Sequence, residues 1–79
     1  MKLTYDPRYN IAYIKLREKN GTVNSIKISE ELVIDMAADG SVFGIELLNA
    51  KEQLEDKNSL HIQFINEATG EEKGFDVAA

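Results

Sequence analysis

The sequence predicts a mainly β domain of the α+β kind: an antiparallel meander of five to seven strands with one short helix packed on it. Short alternating or β-branched runs predict the strands, and four turn signals separate those runs. A chain of 79 residues has room for one domain, so we expect a single domain over residues 1–79. The turn signals are Asp6-Pro7, Asn20-Gly21, Asp39-Gly40 and the run from Asn66 to Gly70.

The first part of the chain contains three predicted strands. Residues 2–5 form the first, and residues 11–17 form the second, which alternates between an aliphatic face and a face with Tyr13. The third, residues 22–29, departs from strict alternation. A bulge near residues 24–25 or an edge position would accommodate that departure.

The stretch IDMAADGSVFGIE, residues 34–46, fits two different proteins. Counted from Asp35, the residues Asp39, Gly40 and Glu46 fall at three of the fixed positions of a calcium-binding EF-hand loop. The same stretch also fits two aliphatic runs joined by Asp39-Gly40, a common hairpin turn. A ligand is implied only by the first interpretation.

The hairpin is the better interpretation of this stretch. The third loop position is Ala37, which removes an oxygen ligand, and the flanking runs are strand patterns where an EF-hand needs amphipathic helices. We therefore predict strands at residues 32–36 and 41–48, with Gly40 at a positive φ.

One helix is predicted, over residues 49–56. Asn49 can cap its start, and Glu52 three residues later completes a pattern that resembles a capping box. A helix of about two turns is stable only when packed, and Ala50 and Leu54 would be its buried contacts. The last two predicted strands are residues 60–65 and 71–77.

The composition excludes several functional classes. Nine Lys and Arg against fourteen Asp and Glu give a net charge of -5, which repels phosphates, so we expect no nucleic-acid binding. No apolar run approaches the roughly 18 residues that span a bilayer, and no leader is present, so we expect no membrane association and a cytoplasmic location. The absence of cysteine fits a reducing compartment.

Six residues are candidates for a binding surface. Tyr5, Asp6, Tyr9 and Tyr13 gather around the first turn, and tyrosine suits both an interface and the edge of a core. Asp35 and Glu46 interrupt apolar strands and are candidates to face one another across the hairpin. Such a carboxylate pair can perform acid–base chemistry or simply bond to its neighbours on a wet sheet face.

The sequence contains no recognisable catalytic or metal-binding constellation. His61 is the single histidine, it has no cysteine to join it, and on its strand it is predicted to point away from the core. Nucleophile elbows, phosphate loops and metalloprotease helices are all lacking. Asn20-Gly21-Thr22 matches a glycosylation pattern but is better explained as a turn. We expect no catalytic residue, no metal and no cofactor.

Several short motifs follow one another along the first two thirds of the chain: Tyr5-Asp6-Pro7, Ala12-Tyr13-Ile14-Lys15-Leu16, Asp35 with Asp39-Gly40, Val42, and Gly44-Ile45-Glu46-Leu47-Leu48 followed by Ala50. In this order they resemble the small prokaryotic family called domain of unknown function 2283 over about residues 1–54. The resemblance implies a small β-rich protein without an established activity, and some family members look like partners in pairs similar to toxin and antitoxin. The family usually has Asp where this chain has Asn10 and Asn49.

Three functions are compatible with these patterns. The preferred one is a non-enzymatic protein-binding module, self-associating or antitoxin-like, that uses an exposed sheet face or edge strand. The alternative is a small hydrolase-like protein that binds a ligand or a metal through Asp6, Asp35 and Glu46. A domain without any partner is the third, and it predicts a monomer at all concentrations.

Overall fold

Seven strands of five to seven residues and one short helix form two antiparallel sheets in the described part of the chain. The computed structural model describes residues 1–18, 21–56 and 59–77. The mainly β class with one helix is therefore confirmed. In chain order the elements are β1 (Lys2–Asp6), β2 (Ile11–Lys15), β3 (Val23–Ser29), β4 (Leu32–Ala37), β5 (Val42–Leu48), α1 (Ala50–Leu54), the two-residue β6 (Glu55–Asp56), β7 (Ser59–Ile65) and β8 (Glu72–Val77).

The larger sheet has the strand order β1-β2-β5-β4-β3, and the smaller sheet has the order β6-β7-β8. The strands β3, β4 and β5 form a meander, and the hairpin of β1 and β2 adds to its β5 edge. The larger sheet thus departs from a simple meander where β2 pairs with β5. Such a pairing brings distant parts of the chain together and is not encoded by any local turn signal.

Residues of the larger sheet alternate between two faces, as its register requires. One row on the face that we call the apolar face consists entirely of aliphatic side chains. The adjacent row lies on the opposite face, which we call the polar face. The apolar row is Leu3, Ile14, Ile45, Ile34 and Ile26, and the polar row is Lys2, Lys15, Gly44, Asp35 and Ser25.

The hairpin prediction for residues 34–46 is confirmed. Gly40 has a φ of 90°, and its N–H donates to the carbonyl of Ala37 at 3.0 Å. Of the two predictions for the third strand, the structure shows the edge position, and its register irregularity lies between Lys27 and Ser29. In the predicted Asn20-Gly21 turn, Asn20 lies outside the described residues.

The capping prediction for the helix is wrong. Asn49 adopts the left-handed conformation, and its side chain makes no capping hydrogen bond. Asn10, from the β1–β2 turn, takes that role: its carbonyl accepts from Ala50 N–H at 2.9 Å and its Oδ1 accepts from Lys51 N–H at 2.8 Å. Asn10 Nδ2 also donates to Glu52 at 2.6 Å. The helix start is thus held by the first hairpin and not by its own cap residue.

The buried core is small. Among the described residues, the buried apolar side chains are Ala12, Phe43, Ala50 and Leu60, and no large side chain is fully buried. The accessible surface is 6083 Å², whereas a compact monomer of 8.9 kDa has about 4,800 Å². The radius of gyration is 14.2 Å against about 11.6 Å for a compact chain of this length. The fold leaves much apolar surface in water.

Candidate interaction surfaces

The centre of the polar face is a hydrogen-bonded cluster around Asp35. Tyr13 Oη donates to Asp35 Oδ2 at 2.7 Å, and Ser25 Oγ donates to Asp35 Oδ1 at 2.6 Å. These three side chains come from β2, β4 and β3, so the cluster ties both halves of the sheet together across β5. Both oxygens of the carboxylate therefore have structural partners.

Gly44 makes the contact between Tyr13 and Asp35 possible. Gly44 lies directly between β2 and β4 in the register, paired with Lys15 on one side and Asp35 on the other. A Cβ at position 44 would overlap the hydroxyl and ring of Tyr13. Tyr13 thus crosses β5 over the one position in that stretch that has no side chain.

The environment of Tyr13 stabilises its neutral form. Burial is the main cause, and the hydrogen bond to Asp35 and the negative charges of Asp35 and Glu46 add to it; together they raise the pKa of Tyr13 to about 12. The phenol is therefore a hydrogen-bond donor and not a base near neutral pH.

Asp35 and Glu46 share the polar face but do not stand opposite one another. Glu46 pairs with Val33 and Tyr13 in the register, and Asp35 pairs with Gly44. The two carboxylates are therefore diagonal neighbours on the sheet. The predicted face-to-face arrangement is wrong. In the register of β4 and β5 the partner of Asp35 is Gly44, two residues before Glu46.

The residues of the first turn divide between different surroundings. Asp6 accepts the backbone N–H of Arg8 at 2.9 Å and pairs with its guanidinium at 3.0 Å, and these contacts lower the pKa of Asp6. Tyr9 is 71% exposed, with the Arg8 guanidinium 5.6 Å from its ring centroid. Tyr5 lies on the apolar face and donates to Asn10 Oδ1 at 3.4 Å.

The structure therefore brings together only part of the predicted set. Tyr13, Asp35 and Glu46 share the polar face, and Asp6 is on the same side at its margin. Tyr9 is at the turn, whereas Tyr5 is on the other side of the sheet. Sequence reasoning missed Ser25 and Gly44. The signal for Ser25 was the irregular alternation around residue 25, and the signal for Gly44 was a glycine inside a strand.

His61 pairs with Asp76 across the β7–β8 hairpin, with Nδ1 and Oδ1 2.8 Å apart. The imidazole is 44% exposed and is on the side of the hairpin opposite Leu60 and Ile62. In the described ranges, no three His, Cys, Asp or Glu side chains come together as a metal site. Nor does any helix there have the length and apolarity needed to cross a membrane.

Exposed apolar side chains lie on two parts of the described structure. One is the β7–β8 hairpin, where Ile62, Phe64 and Phe75 are exposed. The other is the β3–β4 half of the apolar face, where Ile26 is exposed and Ile34 is half-buried. Neighbouring exposed apolar side chains commonly mark an interaction site.

These features define a class of protein: a small antiparallel β domain with a tyrosine–carboxylate cluster on one sheet face and a partly covered aliphatic face on the other. The chain belongs to the family described as protein of unknown function (DUF2283), whose profile matches residues 2–51. The match covers the five-stranded sheet and the first residues of α1, and it ends before the β7–β8 hairpin. Comparisons with curated proteins and with solved structures gave no match.

Proposed function

We propose that this protein is a non-enzymatic protein-binding module of the prokaryotic cytoplasm. It associates with a second copy of itself or, as the antitoxin-like member of a two-protein pair, with a different chain. One observation carries the proposal: about 1,300 Å² more surface is accessible than a compact monomer of this mass exposes. Part of this surface is apolar, as the exposed Ile62, Phe64 and Phe75 show, and removing apolar surface from water is the main favourable contribution to protein association.

The exposed apolar residues lie beside one another, and this arrangement supports association with a partner. Scattered single hydrophobic residues are normal on any surface. Here Ile62 and Phe75 are directly paired in the β7–β8 register, and Phe64 is two residues from Ile62 on the same side. Such a contiguous strip is what a partner protein can cover.

The polar face and the first turn supply the polar part of the interface. Tyr9, exposed at the turn beside Arg8, presents an aromatic ring and a cation, and both residue types are enriched at interfaces. Asp35 and Glu46 supply negative charge on a chain whose net charge is -5, which suits a basic partner. The same charge disfavours nucleic acid.

The rival function is binding of a small ligand or a metal by the carboxylates, with hydrolase-like chemistry. Its support is a depression of about 490 Å³ lined by Tyr13, Lys15, Glu18, Asp35 and Phe43. Against it, Asp6 is engaged by Arg8 and both Asp35 oxygens accept hydrogen bonds. The carboxylates of Asp6 and Asp35 already bind neighbouring side chains, so they are poorly placed to hold a ligand.

Sedimentation velocity of the purified chain from low to high micromolar concentration, alone and with proteins copurified from its own cells, tests the proposal. A dimer, or an identified protein held at fixed stoichiometry, supports the module. A monomer that holds no partner overturns it. Asp35→Asn with Glu46→Gln tests the rival: loss of a shift in Tm produced by divalent cations or small ligands would favour it.

A further inference from the structure

The β7–β8 hairpin has one apolar side that leaves the protein's own core as it extends. Leu60, Ile62 and Phe64 share that side, and Phe75 pairs with Ile62 on it. Exposure rises along the strand, from 4% at Leu60 to 38% at Ile62 and 62% at Phe64, and Phe75 is 61% exposed. The base of the hairpin is thus packed, and its outer half has no cover within the described chain.

The base of the hairpin covers only one half of the apolar face. Leu60 and Ile62 line a cavity of about 30 Å³ together with Leu3, Ala12 and Leu54, which places the hairpin base and α1 over β1 and β2. The aliphatic row continues beyond that half through Ile45 and Ile34 to Ile26. Ile26, at the far end of the row, is 42% exposed.

The exposed outer hairpin and the incompletely covered β3–β4 half of the apolar face are similar in chemistry. Both are aliphatic or aromatic sheet surfaces, and the hairpin base already packs on the β1–β2 half of the same face. Within one chain the outer hairpin and the β3 edge of the apolar face do not cover one another, since Phe64 stays 62% exposed and Ile26 stays 42% exposed. A second chain can supply the missing contact.

Resting on the self-association arm of the proposed function, we infer that two copies pair about a two-fold axis. In this dimer the outer β7–β8 hairpin of each copy covers the β3–β4 half of the apolar face of the other. The two-fold axis makes the two contacts identical. The hairpin and the β3–β4 half of the apolar face are then covered in both chains. We call this arrangement the reciprocal dimer.

The areas agree with such a dimer. A stable interface buries about 800 Å² per partner, and obligate homodimers bury more. The surplus of about 1,300 Å² per chain over a compact monomer, summed over polar and apolar surface of the whole chain, is larger than that area. The reciprocal dimer therefore requires no surface beyond what the fold leaves open.

The charges favour hairpin-to-sheet contact over hairpin-to-hairpin contact. Lys73 pairs with Phe64 and is the charged residue on the apolar side of the described hairpin. Two hairpins packed together would bring two Lys73 ammonium groups into one small apolar interface, where like charges are unfavourable. The β3–β4 turn instead offers Glu31, which has the opposite sign, beside Glu30, which pairs with Lys27 of its own chain at 3.1 Å.

Chemical cross-linking tests this pairing, because the chain has no cysteine of its own. Ile26→Cys and Phe64→Cys are made as separate full-length variants, mixed to allow subunit exchange, and treated with a short bismaleimide. The expected result is a cross-linked dimer containing one chain of each variant, with little product from either variant alone. Gln63→Cys, on the other side of the hairpin from Phe64, is the matched control and should give little product with Ile26→Cys.

A second pair of variants measures the contribution to association. Phe64→Asp should raise the dimer Kd by about 100-fold or more, because the two-fold axis removes the aromatic contact twice. Ile65→Asp is its matched control: Ile65 is also exposed, on the opposite side of the hairpin, and should change the dimer Kd little. Both positions are solvent-exposed in one chain, so neither substitution removes core packing.

The outcomes separate the inference from the proposed function. A wild-type dimer in which Phe64→Cys cross-links to itself, or in which Ile65→Asp and Phe64→Asp act alike, overturns the reciprocal dimer and leaves the binding module in place. A wild-type chain that stays monomeric at every concentration overturns the reciprocal dimer together with self-association. A dimer with the mixed cross-link and the Phe64-specific loss supports both.

Discussion

The Tyr13 hydroxyl occupies the space above Gly44 that a side chain at that position would need. Because Gly44 lies between β2 and β4, this vacancy lets a tyrosine from one strand reach a carboxylate two strands away. The glycine within the strand motif Gly44-Ile45-Glu46-Leu47-Leu48 therefore has a structural explanation in this chain. Gly44 provides clearance for a hydrogen bond that joins the β1–β2 hairpin to the β3–β5 meander.

Gly44→Ala is expected to lower the free energy of unfolding by about 1–3 kcal/mol, since the added methyl group displaces Tyr13 and breaks its bond to Asp35. Urea unfolding at a fixed protein concentration measures it. In a Tyr13→Ala background the same substitution should cost little, because the clash is gone. Equal costs in the two backgrounds would show that Tyr13 is not the reason for the glycine.

Tyr13→Phe is expected to cost about 1 kcal/mol of stability, the usual net value of a hydrogen bond that is partly removed from water. Ser25→Ala removes the other hydroxyl that bonds to Asp35, but its bond is exposed, so the loss should be smaller. Denaturant midpoints of the two variants give the comparison. A larger loss for Ser25→Ala would contradict the burial argument.

The raised pKa of Tyr13 predicts a loss of stability in alkaline solution. In the unfolded chain a tyrosine has a pKa of about 10, and in the folded chain Tyr13 has a pKa of about 12. The folded state therefore retains a proton that the unfolded state releases. The stability that Tyr13 contributes in this way is fully present below about pH 10 and is lost as the pH rises toward 12.

Thermal unfolding measured across this alkaline range tests the prediction, with Tyr13→Phe as the control. The variant should lack the component of the decline that comes from Tyr13. Absorbance of the tyrosinate form should also lose one group that titrates near pH 12. If the variant and the wild type decline in parallel, Tyr13 is not responsible.

Asn10 is expected to be the residue of the first turn most sensitive to substitution. Asn10→Ala removes the side-chain hydrogen bonds to Lys51 N–H and Glu52 and places alanine at a φ of 56°, so we expect a loss of about 2 kcal/mol. Asn10→Gly tolerates that φ but has no side-chain cap, so its loss should be about half. If the two variants have equal free energies of unfolding, the positive φ at position 10 does not contribute to the loss of stability.

Asn10→Asp tests the contact between the turn and the helix separately. It keeps the Oδ1 acceptor for Lys51 N–H but loses the donor to Glu52 and places a carboxylate beside it. The hydrogen bond from Asn10 lowers the pKa of Glu52, so Asn10→Asp should raise that pKa, measurable by NMR titration of the side chain. An unchanged Glu52 titration would contradict the contact.

Local patterns were sufficient to predict the elements themselves. The predicted strand at residues 32–36 is observed as Leu32–Ala37, and the predicted strand at residues 41–48 is observed as Val42–Leu48. Gly40 takes the positive φ that the hairpin needs. Each of these features depends on residues within a few positions of one another, where alternation and turn chemistry act directly.

The polar cluster and the helix cap were not predictable from such patterns. Asp35 meets Tyr13 and Ser25 because β2 joins β5 on one side while β3 joins β4 on the other. Asn10 caps α1 from a turn about forty positions earlier in the chain. Both contacts depend on strand order and register, which are decided by the packing of whole sheets.

The sequence by itself determined the mainly β class, the positions of the strands and turns, and the family, since all of these follow from residue order over short distances. Only the tertiary structure decided that β2 pairs with β5, that the strands divide into two sheets, and that the β3 edge of the aliphatic face is left exposed. The physical reason is that pairing between distant strands depends on which apolar surfaces meet. The side-chain alternation of a strand shows which of its residues share a face, but it does not specify the neighbouring strand.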